Sequence, residues 1–353
     1  IHCGLVGSEM CIRDRIRGLA ILLMIMVHAA ATWAPADAST TSLLALIVAS
    51  LGGLAAPLFV TVGGWVTVQS TWTLRKAMIR FVFLMIAQFL VNITASHLFD
   101  PFTPGVLSLF AILYLLAPIW IRIARNSIAF GAILVLIGII NTVFSPGDSS
   151  LSWDDRTEAI TIIQFLSHLL VTGTYPLFPW MFFSILGAGI NIHAPTIRRV
   201  GLVIVSGLLL CTLFLYESIQ TGIPFAQPRG EAILTFFPAS TPFLIGACTG
   251  ALIIWLLLEN RRPLGGLHHL GQLSLTLYIA HFIPIYPGSN VVLTWSSAVP
   301  VVIVFTLVWW PMSVFWRTRF PTYSLEYALR QMYRHEEERL SLIHISEPTR
   351  PQC

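Results

Sequence analysis

The chain has 353 residues, of which 56% are hydrophobic and 10% charged, with a formal net charge of +4. Soluble domains carry about 25% charged residues, so this composition excludes an ordinary soluble fold and makes lipid the expected solvent. No basic tract suits nucleic acid and no polar linker divides the length, so one polytopic membrane domain over residues 16–339 is expected.

The two ends, residues 1–15 with VGSEMCIRDR and residues 340–353 with LSLIHISEPTRP, read as translated sequencing-adapter sequence and are set aside. Cys3, Cys11 and Cys353 fall in or beside them. Cys211 and Cys248 lie in apolar runs and read as small buried hydrophobes, not as a disulfide or metal pair.

A spanning helix needs about 20 apolar residues. In chain order, such runs are Ile16–Trp33, Leu43–Val68, Met78–Ser96, Val106–Ile121, Ser127–Phe144, Pro176–Ile192, Val200–Tyr216, Pro238–Leu258, Leu270–Tyr286 and Ser297–Phe315. The expected fold is therefore all-α and integral to the membrane, with about ten transmembrane helices. Ala159–Thr172 is too short to span and is expected at the interface or as a re-entrant segment. After Phe320, YSLEYALRQMYRHEEER reads as an amphipathic helix on the membrane surface.

Basic residues orient these runs, because cytoplasmic loops collect Lys and Arg. With both termini cytoplasmic, seventeen basic residues fall inside, including Arg75, Lys76, Arg80, Arg122, Arg125, Arg261 and Arg262; only Arg156 and Arg229 fall outside. Asp37, Asp100, Asp148, Asp154, Asp155, Glu158, Glu217 and Glu231 all fall outside, and no Asp, Glu, Lys or Arg stands mid-span. Ion-coupled carriers usually keep a charge at depth, so a pump or channel is disfavoured.

The ionisable groups at depth are histidines. His28 lies 12 residues into the first run, about 18 Å at 1.5 Å per residue. His281 lies 11 residues into the ninth run, which has the same direction, so the two imidazoles are expected to share a level in the outer half of the bilayer. His97 and His168 lie on the same side. Each histidine reads either as a core residue donating to a backbone carbonyl or as a general base that stays neutral in a membrane cavity. Gln88, Asn92 and Asn141 read as helix–helix glue. Gly52, Gly53, Gly63, Gly64, Gly187 and Gly189 allow close helix approach or close passage of a ligand. Arg75 and Arg80 open a run whose far end nears the histidine level. Topology explains them, or guanidinium forks there grip the phosphates of an anionic cofactor.

Several segments resemble a known family. Asp14-x-x-Arg17-Gly18 running into LAILLMIMVHA resembles the opening of transmembrane acyltransferases related to heparan-alpha-glucosaminide N-acetyltransferase. APLFVTVGGWV with RKAMIRF, GVLSLFAILYLLAP and GTYPLFPWMFFSILGAGI are similar to later segments of that family, in the same order. LGQLSLTLYIAHF is similar to the penultimate helix of that family and of related bacterial envelope O-acyltransferases. The resemblance implies acyl transfer from cytoplasmic acetyl-CoA, as cosubstrate and without a metal, to a hydroxyl or amine of a glycan or lipid-linked sugar on the outer side. His28 matches the first-span histidine of the bacterial O-acyltransferases; with its level partner His281 it is the expected catalytic residue. Arg17, Arg75 and Arg80 are the expected cofactor-binding residues, and a bacterial inner membrane is the expected location. A homodimer stays open. The alternative is a transporter or flippase for an envelope lipid or glycan, using the same cavity without chemistry.

Overall fold

The computed structural model describes residues 2–35, 37–38, 42–259 and 266–333, and of residues 2–11 only the backbone helix. Arg261, Arg262, Arg334 and Arg339, which carry part of the charge partition, lie outside the described residues.

The fold opens with α1 (His2–Trp33), α2 (Leu43–Gly53) and α3 (Ala55–Gln69), the last two forming one span, followed by α4 (Leu74–Thr94). α5 (Val106–Leu115) and α6 (Ala117–Arg125) form a pair bent by 70°, and α7 (Ser127–Phe144) follows. Short helices α8 (Trp153–Thr157) and α9 (Ile162–Ser167) come next, and a π-turn at His168–Thr172 leads through a 46° bend into α10 (Leu177–His193). Next come α11 (Ile197–Thr221), a parallel pair of short strands β1 (Ala226–Arg229) and β2 (Leu234–Phe237), and α12 (Thr241–Glu259). Three short helices, α13 (Leu267–Gln272), α14 (Ser274–Ala280) and α15 (Phe282–Gly288), precede α16 (Trp295–Arg319). A last helix covers residues 325–333.

Among the described residues, seven helices are long and apolar enough to cross a membrane, or nine if each bent pair is one span. The ten expected runs all fall on helical segments, but three of them are not straight. The fourth run bends at Leu116 because Pro118 has no N–H to give the Tyr114 carbonyl. The Trp72 indole donates to that carbonyl instead, at 3.0 Å, and Trp120 donates to the Leu113 carbonyl at 2.8 Å. The sixth run joins the Ala159–Thr172 stretch at the second bend. The ninth run is broken at Leu273 and again at His281, with Pro284 and Pro287 removing two further backbone donors.

Capping fixes several helix starts. The Thr73 side chain accepts from the Lys76 N–H, and Asn126 accepts from Ile128 and Ala129. The two largest apolar clusters of the interior lie around α1, α3, α12, α13 and α16 and around α3, α5, α6, α7, α10 and α12. α11 turns its apolar face outward, with Leu202 62% and Leu209 63% exposed, as lipid permits and water does not. The amides pack as expected. Gln88 bonds Asn92 and the Leu107 N–H, Asn92 donates to the Pro101 and Thr103 carbonyls, and Asn141 donates to Ala239. Gly64 and Gly187 let α3 and α10 touch backbone to backbone, since a Cβ on either would strike the Ser184 or Thr61 carbonyl.

The charge partition gives a direct expectation for the crossings. A reporter fused after Arg125 or Arg262 reads cytoplasmic, and one fused after Asp148 or Gly222 reads external. An external reading at Arg262 contradicts ten crossings.

Candidate active site

The site is built where α1 runs beside the broken helix α13–α15. Close approach is possible because Gly18 and Gly271 have no side chains; a Cβ on Gly18 would strike the Leu267 carbonyl, and one on Gly271 the Asp14 carbonyl. The two elements are then pinned at both ends. Gln272 donates to the Asp14 carboxylate at 3.2 Å, and the Trp33 indole donates to the Gly288 carbonyl at 2.9 Å. Between these pins stand His28 and His281.

The sequence-expected pair does more than share a level. His28 Nδ1 and His281 Nε2 are 2.9 Å apart, with the rings nearly parallel at 7°. His281 is fully buried, and its Nδ1 lies 3.0 Å from the Leu277 carbonyl. A carbonyl only accepts, so His281 Nδ1 carries a hydrogen. With both rings neutral, His281 Nε2 has the lone pair and His28 Nδ1 must donate to it. His28 Nε2 is then the unprotonated nitrogen, the one able to take a proton. His28 is half-buried, and Phe282 packs 4.8 Å from its ring and 4.1 Å from that of His281. This is a base held in one tautomer by an orienting partner, the arrangement that nucleophile activation requires.

The other two histidines separate. His168 is buried and committed at both nitrogens: Nε2 donates to the Glu158 carbonyl at 3.0 Å and Nδ1 accepts from the Thr172 hydroxyl at 2.9 Å. It holds the π-turn and has no nitrogen left for chemistry. His97 is exposed beyond the end of α4, 5.6 Å from the Tyr286 ring, and partial burial holds its pKa below the ordinary value. Its charge, when present, acts on His28.

At the opposite end of α1, Arg17 stands 4.0 Å from Asp14 and within electrostatic reach of Arg13, Arg80 and Glu326. Arg80 lies over the Tyr114 ring, 3.8 Å from its centre, and its Nε donates to the Tyr333 hydroxyl at 2.9 Å. Arg80 thus lies within electrostatic range of Arg17, whereas Arg75 is exposed on the first turn of α4. Phe282, beside the histidine pair, and Tyr114, Tyr333 and Glu326, at the Arg17 end, were not singled out from sequence. Phe282 follows His281 directly, and the other three carry no local signal.

A separate pocket of about 330 Å³ at the histidine end is lined by Trp153, Arg156, Arg229 and Phe237. Arg156 is a structural residue there: its guanidinium is buried and donates to the Gly147, Asp148 and Thr172 carbonyls. Phe99 links the pocket to the pair, 6.0 Å from Trp153 and 6.4 Å from Phe282.

No curated protein matches the chain. One family does: the sequence model described as acyltransferase domain matches residues 14–316, from the Asp14 that begins the Asp14-x-x-Arg17 motif to Trp316, near the end of α16. That match covers most of the chain and both partners of the histidine pair, and the chain therefore belongs to this family of transmembrane acyltransferases.

Proposed function

We propose that the protein transfers an acyl group from an acyl-CoA, acetyl-CoA in the simplest case, to a hydroxyl or amine of a glycan or lipid-linked sugar, with His28 as general base. The observation that carries this reading is the free Nε2 of His28, fixed by the chain His28 Nδ1–H to His281 Nε2 and His281 Nδ1–H to the Leu277 carbonyl. His28 Nε2 takes the acceptor's proton as its oxygen or nitrogen bonds to the thioester carbonyl. The C–S bond then breaks, and the proton passes to the departing CoA thiolate. Arg17 and Arg80 meet the CoA phosphates at the cytoplasmic end. Arg17 and His28 are eleven residues apart on one helix, about 16 Å, a distance that the extended pantetheine arm of a CoA thioester matches. Trp153 and the exposed Arg229 give the acceptor an aromatic and cationic surface at the other end. A transporter or flippase would need a cavity here but no oriented base.

If the two histidines act as one unit, His281→Ala costs nearly as much turnover as His28→Ala, and the double variant costs no more than His28→Ala alone. Additive losses in acetyl-transfer kinetics would show that His281 does not work through His28.

A further inference from the structure

We propose that Glu326, on the C-terminal helix, is a positioning residue for the histidine pair. The inference rests on the catalytic reading of that pair. At the Leu273 break, the first N–H groups of α14 lose their helical acceptors and need others. The Glu326 carboxylate enters from about fifty residues further along the chain and fills that gap. One oxygen accepts from the Leu275 N–H at 2.6 Å and the Thr276 N–H at 3.1 Å, and the other accepts from the Thr276 hydroxyl at 2.6 Å. The Leu325 N–H returns a bond to the same hydroxyl at 3.0 Å.

α14 is short, and its C-terminal cap is His281. Thr276 and His281 are five residues apart, about 7.5 Å along the axis. Whatever fixes the start of α14 therefore fixes the height and rotation of the His281 ring, and with them the 2.9 Å contact to His28. Glu326 lies ten residues beyond the last position of the family match. The same helix carries Tyr333, which accepts from Arg80, so one surface element touches both the donor-end cation and the base-bearing run.

The test is steady-state acyl transfer by Glu326→Ala and Glu326→Gln in the full-length protein, each also in the His281→Ala background. Misplacing a reacting group by about 1 Å can cost about 100-fold, and a kcat loss of that order is expected for Glu326→Ala, well beyond any accompanying rise in KM for acetyl-CoA. Glu326→Gln keeps an acceptor for the two N–H groups and recovers most of the loss. In the His281→Ala background, Glu326→Ala lowers kcat no further. Should the Ala variant not purify as a folded protein, Glu326→Asp, one methylene short of the break, is expected to show the same kcat loss in smaller measure. Wild-type kcat in the Ala or Asp variant, equal losses for Ala and Gln, or a further loss without His281 would each overturn the assignment. A fully active His281→Ala enzyme would overturn the pair itself, a separate failure.

Discussion

Replacing His28 by Ala lowers turnover about 10²- to 10⁴-fold, the usual contribution of a positioned base, and leaves membrane insertion and acetyl-CoA binding intact. The effect is this large because the ring that disappears has the one nitrogen of the pair with a free lone pair. Binding is spared because Arg17, at the donor end, is eleven residues away on α1. His28→Asn separates orientation from base strength. An Asn amide can still donate to His281 Nε2, but its oxygen is a hydrogen-bond acceptor and not a base at neutral pH. The Asn variant is expected to fold like the wild type and to turn over nearly as slowly as the Ala variant. Near-full activity in kinetic assays of His28→Asn would make His28 a positioning partner and move the search to His97, since His168 has both nitrogens engaged.

The second large effect concerns the donor. Arg17→Ala and Arg80→Ala are each expected to weaken acetyl-CoA binding about 10- to 100-fold, since a hydrogen bond to a charged group is worth about 1.5–3 kcal/mol. Lys at either position restores only part of the affinity, because an ammonium cannot make the bidentate contact of a guanidinium. Arg80 is the more sensitive of the two, being pre-set by the Tyr114 face and the Tyr333 hydroxyl. Arg75→Ala is expected to do less, because that side chain is exposed on the first turn of α4. Equilibrium binding of labelled acetyl-CoA to purified protein measures each of these variants. Unchanged affinity after loss of both Arg17 and Arg80 would return them to a purely topological role.

The apolar runs were legible because lipid as solvent demands length and hydropathy, which sequence states directly. The bend in Val106–Ile121 was not, because Leu116 to Pro118 leaves hydropathy unbroken while Pro118 removes one backbone donor. Its cost is offset by Trp72, 42 residues earlier than the carbonyl it reaches. The same holds for Leu270–Tyr286, where the break is satisfied by Glu326 from a segment that reads only as a polar surface helix. Counting residues along two runs of equal direction was enough to bring His28 and His281 to one level. The hydrogen bond and tautomer depend on rotation about each helix, which the glycine contacts of Gly18 and Gly271 set and hydropathy does not encode. Arg17 and Arg80 were each legible as inner-end cations, but their coming within electrostatic range is a tertiary fact.

The most direct measurement follows the thioester itself. Purified protein in liposomes is given acetyl-CoA at the Arg17–Arg80 end, a panel of sugar and lipid-linked sugar acceptors at the histidine end, and a thiol reagent to report free CoA. The account predicts CoA release that requires an acceptor, is matched mole for mole by acetylated acceptor, and is lost with His28→Ala. Saturable movement of an unmodified acceptor across the bilayer, with acetyl-CoA left intact, would contradict it.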